Sequence, residues 1–340
     1  MKSELWYHLG ENTIRRSVES RSNYLKIART FGFITILLIY FICYKVFLIF
    51  SYPLTTFVPR TKRIYEEYFE AGFWTLCCYI LELNNFKIII EGDKLEVGDA
   101  VLISNHVSLV DYILFSYLTT KSLNNDFGNE NMLAKDLTSI LLPKLSFFTW
   151  YQIWNIPSFQ FLRDISQADE NWDLDSDTLG STFNKYLEQK SGTQWLVTFP
   201  EVNIYTEKSS KLEQIMGEKY YLPHLENVLY PRYSGFANCI GGLYKTTFKV
   251  LYDISIIYYH KDQSGNIVFQ GPSLLAAFGL CESDITAVIY IRSKLLNRIP
   301  LRRDRMEKWL ERRWVKKDKQ IKIMKEQALK RIAIKLQPRH

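Results

Sequence analysis

Residues 31–50 read FGFITILLIYFICYKVFLIF, twenty residues whose single charge is Lys45. A helix of that length spans about 30 Å, the thickness of a bilayer's hydrocarbon core. The run is rich in aromatic as well as aliphatic residues. Lys45 lies near one end, where its stem can follow the apolar surface and its ammonium can reach the headgroups. A membrane-spanning helix is the expectation, with a buried helix of a large domain as the alternative. Ser51-Tyr52-Pro53 is expected to break it, because proline lacks the amide proton a helix interior needs. Residues 1–30 are polar, carry Arg15, Arg16, Arg21, Lys26 and Arg29, and lack a small-residue cleavage pattern behind an apolar core. After Arg60, Lys62 and Arg63 comes a second apolar piece, Ala71 to Leu83. It is short for a span and reads as a re-entrant or interfacial helix, or as the first helix of a globular domain.

From about residue 84 the pattern changes. Short apolar runs at 86–91, 100–103, 194–198, 251–259 and 285–291 read as strands. Helical stretches are expected near 109–120, 136–150, 178–190 and 211–219. Such alternation predicts an α/β fold with a mostly parallel sheet flanked by helices, behind an N-terminal membrane-embedded helical segment. Ser166 to Asp177 is an acidic, solvated loop. Residues 274–291 carry Glu282 and Asp284 mid-run, which makes a second span costly, so a short helix, a turn and a strand are expected there. Beyond Pro300, Arg and Lys residues from Arg302 to Lys319 interleave with Met306, Trp309, Leu310 and Trp314. That spacing predicts an amphipathic helix, lying either on an anionic membrane surface or with its aromatic stripe against the domain. The organisation is therefore a polar segment over 1–30, a membrane-embedded region over 31–83, an α/β domain over 84–300, and a basic amphipathic tail over 301–340.

The net charge of +7 points to an anionic partner. Cys43, Cys77, Cys78, Cys239 and Cys281 show no paired spacing, and the five histidines form no cluster, so no metal is expected. The basic tail accompanies no nucleic-acid motif, which argues against a nucleic-acid partner.

The chemistry concentrates in Ser104-Asn105-His106-Val107-Ser108-Leu109-Val110-Asp111, between an apolar strand and an apolar helix. Ser108 and Asp111 stand in the relation of a capping box, which starts the helix at Ser108. A carboxylate in the first turn can reach back to His106, fix one ring nitrogen as donor and leave the other to accept a proton. A histidine that merely caps the helix satisfies the same spacing. Three further segments follow in order: Trp154 to Asp164, with Arg163 closing an apolar run; Trp195 to Glu201, a strand emptying into Phe199-Pro200-Glu201; and Val228 to Phe236, containing Pro231-Arg232 and Gly235-Phe236.

In that order the four segments resemble the glycerolipid acyltransferase superfamily, in particular its lysocardiolipin and lysophosphatidylinositol acyltransferase-like branch. His106 and Asp111 match the N-H-x4-D block, Arg163 the arginine of the second, Phe199-Pro200-Glu201 the start of F-P-E-G, and Pro231-Arg232 through Phe236 the fourth. Lys135 falls where the branch has a lysine. Leu251 to Ile254 and Trp309 to Lys317 resemble its late segments. The family glycine after Glu201 is Val202 here, followed by Asn203, which can hydrogen-bond where the family has threonine. The resemblance implies an acyl-CoA:lysophospholipid O-acyltransferase, with His106 as general base oriented by Asp111. It implies Lys135, Arg163, Glu201, Asn203 and Arg232 at the acceptor site, acyl-CoA as co-substrate without a cofactor, and a lipid bilayer as partner. The endoplasmic reticulum is the expected location. No serine or cysteine sits in a nucleophile elbow, so direct transfer is expected. Val202 keeps open the alternative of a weak or inactive lipid-binding or partner-binding protein of the same fold.

Overall fold

The computed structural model describes residues 2–122, 143–148, 183–184, 187–188, 192–262, 264–280 and 284–336. Side chains are described from residue 24 onward, apart from 55, 59, 60, 62, 63, 66, 67, 335 and 336.

Helix α1 (Lys2–Phe57) contains Tyr24–Leu54, a stretch long and apolar enough to cross a membrane. Ile36, Leu38, Ile39, Ile42, Ile49 and Phe50 face away from the protein. The expected break at Pro53 does not occur, and the helix continues to Phe57. Proline removes one intrahelical bond, and so close to the helix end the remaining turn is completed by Val58 N–H donating to the Leu54 carbonyl at 2.9 Å. Helix α2 (Pro59–Leu83) starts on a proline, which suits a first-turn position where the amide would be unbonded anyway. It returns along α1: Tyr40 Oη donates to the Phe69 carbonyl at 2.8 Å, and the Phe47 and Tyr65 rings meet edge-on. The far half of α2 enters the domain, where Phe73, Trp74, Cys77, Cys78, Ile80 and Leu81 are buried.

The strands are β1 (Lys87–Gly92), β2 (Ala100–Ser104), β3 (Lys144–Phe148), β4 (Gln194–Thr198), β5 (Val250–Lys261), β6 (Ile267–Val268) and β7 (Thr286–Leu295). They form one sheet in the order β1-β7-β5-β2-β4-β3, with β6 paired to β5. The β1–β7, β2–β4, β2–β5 and β3–β4 pairs are parallel, and β5–β7 and β5–β6 are antiparallel. This is the mostly parallel α/β arrangement the sequence predicts. Every residue of β2 and β4 is buried, as expected for strands covered on both faces. The helix expected over 136–150 is corrected where it is described: Lys144–Phe148 is a strand beside β4. A short apolar run carries no period that separates helix from strand, and pairing with a neighbour decides it. Of the helix expected over 178–190, the described residues 183, 184, 187 and 188 are helical.

The other helices are α3 (Asp111–Ser122), α4 (Glu207–Glu218), α5 (Tyr233–Leu243) and α6 (Arg303–Leu336). Alternation along β5 sorts two of them. Tyr258 meets Asp111 at the start of α3, while Asp253, of opposite parity, meets Lys317 of α6 at 2.6 Å. Helices α3 and α6 therefore cover opposite faces of the sheet. The stripe of the basic helix is packed: Met306, Leu310, Trp314, Ile321 and Met324 are all buried.

Candidate active site

The site lies where β2 and β4, side by side and parallel, end at the same edge of the sheet. Asn105 leaves β2 and uses its side-chain amide as a further rung of the ladder. Its Nδ2 donates to the Ile256 carbonyl at 2.9 Å, and its Oδ1 accepts from Ile256 N–H at 2.8 Å. The asparagine thus fixes where the chain leaves the sheet, and His106 follows immediately.

His106 Nδ1 lies 2.9 Å from Asp111 Oδ2. The same oxygen accepts from the backbone N–H groups of Val107 at 2.8 Å and Ser108 at 3.0 Å. The expected capping box is half formed. Asp111 reaches back to the Ser108 amide, but Ser108 Oγ accepts from Val110 N–H at 3.0 Å and donates to the Pro272 carbonyl. The helix accordingly starts at Asp111 and not at Ser108. The segment carrying Pro272 crosses the His106 loop so closely that a Cβ on Gly271 would lie 2.2 Å from the Val107 carbonyl oxygen, so only glycine fits there.

The second oxygen of Asp111 accepts from the Tyr258 hydroxyl. Burial, and then the charge of Asp111, push that phenol well above its ordinary pKa, so it remains a donor. Asp111 is fully buried and four donors converge on it. The imidazole stacks on Phe199, with centroids 4.3 Å apart at 28°, and meets Tyr112 edge-on at 5.6 Å. These contacts hold the ring with Nδ1 toward the carboxylate. An aromatic face also favours an imidazole that becomes cationic. Among the described residues no hydrogen bond forms at Nε2.

Glu201 approaches the same loop from β4. It is fully buried; Oε2 accepts from His106 N–H at 3.3 Å and Oε1 from Trp314 Nε1 at 3.0 Å. Burial pushes its carboxyl up to about 8, against the pull of Trp314, the His106 and Leu229 backbone and Lys317. In this geometry Glu201 grips the peptide of His106 and ties it to α6. The turn itself is docked by Tyr205 N–H on the His106 carbonyl at 2.7 Å and Arg232 N–H on the Pro200 carbonyl at 2.6 Å.

The chain is 28% identical over 268 residues to the probable 1-acyl-sn-glycerol-3-phosphate acyltransferase 5 of Arabidopsis thaliana, a match covering 78% of this chain and 64% of that protein. It is 24% identical over 251 residues to lysophosphatidylinositol acyltransferase 10 of Caenorhabditis elegans, covering 73% and 59%. It is 23% identical over 272 residues to lysocardiolipin acyltransferase 1 of Danio rerio, covering 79% and 64%. These relatives are named as glycerolipid acyltransferases, and the chain is similar to that superfamily over about three quarters of its length. It spans a little under two thirds of the length of these relatives. No protein-family model matches the chain, and no solved structure does.

Against the superfamily blocks, the structure brings His106, Asp111 and Glu201 together, with Asn203 and Arg232 alongside. Val202, in the place of the family glycine, has φ 64°. The left-handed backbone that glycine adopts freely is therefore kept by a β-branched residue, at a cost of about 1–3 kcal/mol. Asn203 is exposed on the turn and donates its N–H to the Glu201 carbonyl at 2.7 Å. Arg232 caps α5 with its backbone, while its guanidinium is half exposed and lies 3.5 Å from Glu213. Lys135 and Arg163 lie outside the described residues. The two late superfamily-like segments meet at the Asp253–Lys317 pair, where Lys317 also donates to the Ile254 carbonyl.

Sequence reasoning missed Tyr258 as a donor to Asp111, Trp314 as a donor to Glu201, and Gly271 as the crossing point. Each depends on contacts between distant parts of the chain. A signal existed only for Trp314, which falls in one of the late segments quoted from the superfamily.

Proposed function

We propose that this chain is a membrane-bound acyl-CoA:lysophospholipid O-acyltransferase of phospholipid synthesis or remodelling. The observation that carries it is the buried His106–Asp111 pair at 2.9 Å, with Nε2 free of hydrogen bonds among the described residues. His106 Nε2 takes the proton from the free glycerol hydroxyl of the lysophospholipid as that oxygen attacks the thioester carbonyl carbon of acyl-CoA. Asp111 fixes the proton on Nδ1 and stabilises the imidazolium that forms. The C–S bond then breaks, and the thiolate of CoA takes the proton from His106. An ester and free CoA result, with no covalent enzyme intermediate. An anionic head group such as phosphate or phosphoinositol suits Arg163 and Lys135, because guanidinium and ammonium groups pair with phosphate oxygens. Both lipid substrates partition into a bilayer, which gives the span of α1 its purpose. The names of the relatives support the activity and the class of acceptor. An integral position in the endoplasmic reticulum belongs to the same proposal.

A non-catalytic lipid binder of this fold drew its support from Val202. The turn nonetheless keeps the left-handed geometry that the glycine would give, which favours the enzyme. The test is release of free CoA by the purified protein in nanodiscs, offered a panel of lysophospholipids with several acyl-CoAs. Acceptor-dependent release is expected, and it should fall by about 10²–10⁴-fold in His106→Ala. Release undiminished in that variant, or no release with any acceptor, rejects the assignment.

A further inference from the structure

Helix α4 leaves the catalytic edge of the sheet directly. Tyr205 bonds the His106 carbonyl, and Thr206 caps the helix by accepting from Ser209 N–H at 3.0 Å. Its inner side is anchored. Ser210 and Gly217 are buried, Glu213 accepts from Tyr230 N–H at 2.7 Å, and Gln214 donates to the Leu225 carbonyl at 2.6 Å. Its outer side is not what water selects. Leu212, Ile215 and Met216 are each more than half exposed, and Tyr220 and Tyr221 behind the helix are 67% and 96% exposed. At 100° per residue, Lys208, Lys211 and Lys219 fall on that same side, and the acids Glu207 and Glu218 fall at its margin.

We infer that this outer side of α4 is a second membrane contact, seated among the headgroups of an anionic leaflet. An exposed apolar cluster of this kind calls for a partner. The interleaved lysines say which one. Lysine is depleted from the cores of protein–protein interfaces, where its ammonium would be desolvated. On an interfacial helix the stem lies along the acyl boundary and the ammonium meets lipid phosphates. Tyrosine suits the same depth. The geometry agrees. The α1–α2 hairpin joins the domain at the edge that carries the site, since Cys78 Sγ lies 3.9 Å from the Ile113 carbonyl near the start of α3, and the Phe86 ring packs on Tyr258. Span and α4 thus emerge on the catalytic side, and α4 seated in the headgroups holds the mouth of the site at the depth of a lipid's glycerol. The inference rests on reading α1 as a span.

The experiment is site-directed spin labelling of the full chain in nanodiscs of phosphatidylcholine, with and without phosphatidylserine. Cys77, Cys78 and Cys239 are buried; Cys43 and Cys281 are replaced by serine for the labels at 215 and 308, and Cys43 is kept for the label on the span. A label at Ile215→Cys should collide more with oxygen and less with a water-soluble nickel chelate than one at Lys308→Cys, an exposed position at the opposite end of the sheet. The difference should grow with phosphatidylserine and shrink in the Lys208→Glu/Lys211→Glu/Lys219→Glu variant. A label at native Cys43 reports the span by itself, so a span that fails to insert is distinguished from an α4 that fails to dock. A label at 215 as aqueous as that at 308 overturns the inference. So does one shielded from both collision partners, which is the signature of a protein cover, or one whose depth ignores the charge reversal.

Discussion

Two buried acids hold His106, and they hold it differently. Asp111 comes from the start of α3, five residues further along the chain, grips the ring, and receives four donors. Glu201 comes from the neighbouring strand and grips the backbone amide, with Trp314 on its other oxygen. The first fixes which ring nitrogen carries the proton. The second fixes where the whole loop stands relative to β4 and α6. Burial of a carboxyl is thus no index of its part in the site: what differs is whether its contact is to the imidazole ring or to the backbone beneath it.

The comparison breaks most directly at the group both acids share. His106→Ala should lower turnover by about 10²–10⁴-fold with little change in thermal midpoint, as read by CoA release and by unfolding in detergent. Asp111→Asn should lower kcat by about a hundredfold or more, because the ring loses its tautomer and its counter-charge. A near-native kcat in Asp111→Asn would erase the distinction between the two acids.

Glu201→Gln should change stability by less than about 1 kcal/mol below about pH 8, since the protonated acid it replaces offers, like the amide, one carbonyl oxygen to the donors around it. It should also change the pH profile. The folded pKa of about 8 lies above the ordinary 4.5, so the folded chain keeps a proton that the unfolded chain releases between those values. Stability from this group therefore falls as pH rises through that window. The thermal midpoint of the wild type should decline from pH 5 to pH 8 more steeply than that of Glu201→Gln; equal slopes would show that Glu201 is ionised throughout.

Tyr258→Phe should cost about tenfold in kcat by removing one charge-assisted hydrogen bond to Asp111; an unchanged rate would make the phenol a packing residue only. The smallest effect is expected at Val202→Gly, which relieves the left-handed valine and should raise stability by about 1 kcal/mol, or about 2–4 °C. A fall in midpoint would mean that the valine side chain contributes more than its backbone costs.

The sequence disclosed what is local. His106 and Asp111 sit five residues apart, and the alternation of strands and helices carries its own period, so both could be read without coordinates. The stretch 144–148 could not, because a strand of five apolar and polar residues is defined by its neighbour. Tyr258 and Trp314 were out of reach for a related reason. They meet their acids across 147 and 113 residues of chain, and no spacing rule spans such distances. Val202 was legible as a departure, but only the backbone angle shows that the turn absorbed it.

The bond between Trp314 and Glu201 sets an order on how the centre is assembled during synthesis. A nascent chain has made its hairpin and every strand of the sheet before residue 314 exists. Until that indole arrives, Glu201 lacks one of its donors, and the amide behind the histidine is held by a half-engaged acid. The centre near the beginning of the domain is completed from nearly its far end, so a prematurely terminated chain would carry both members of the dyad without the brace behind them.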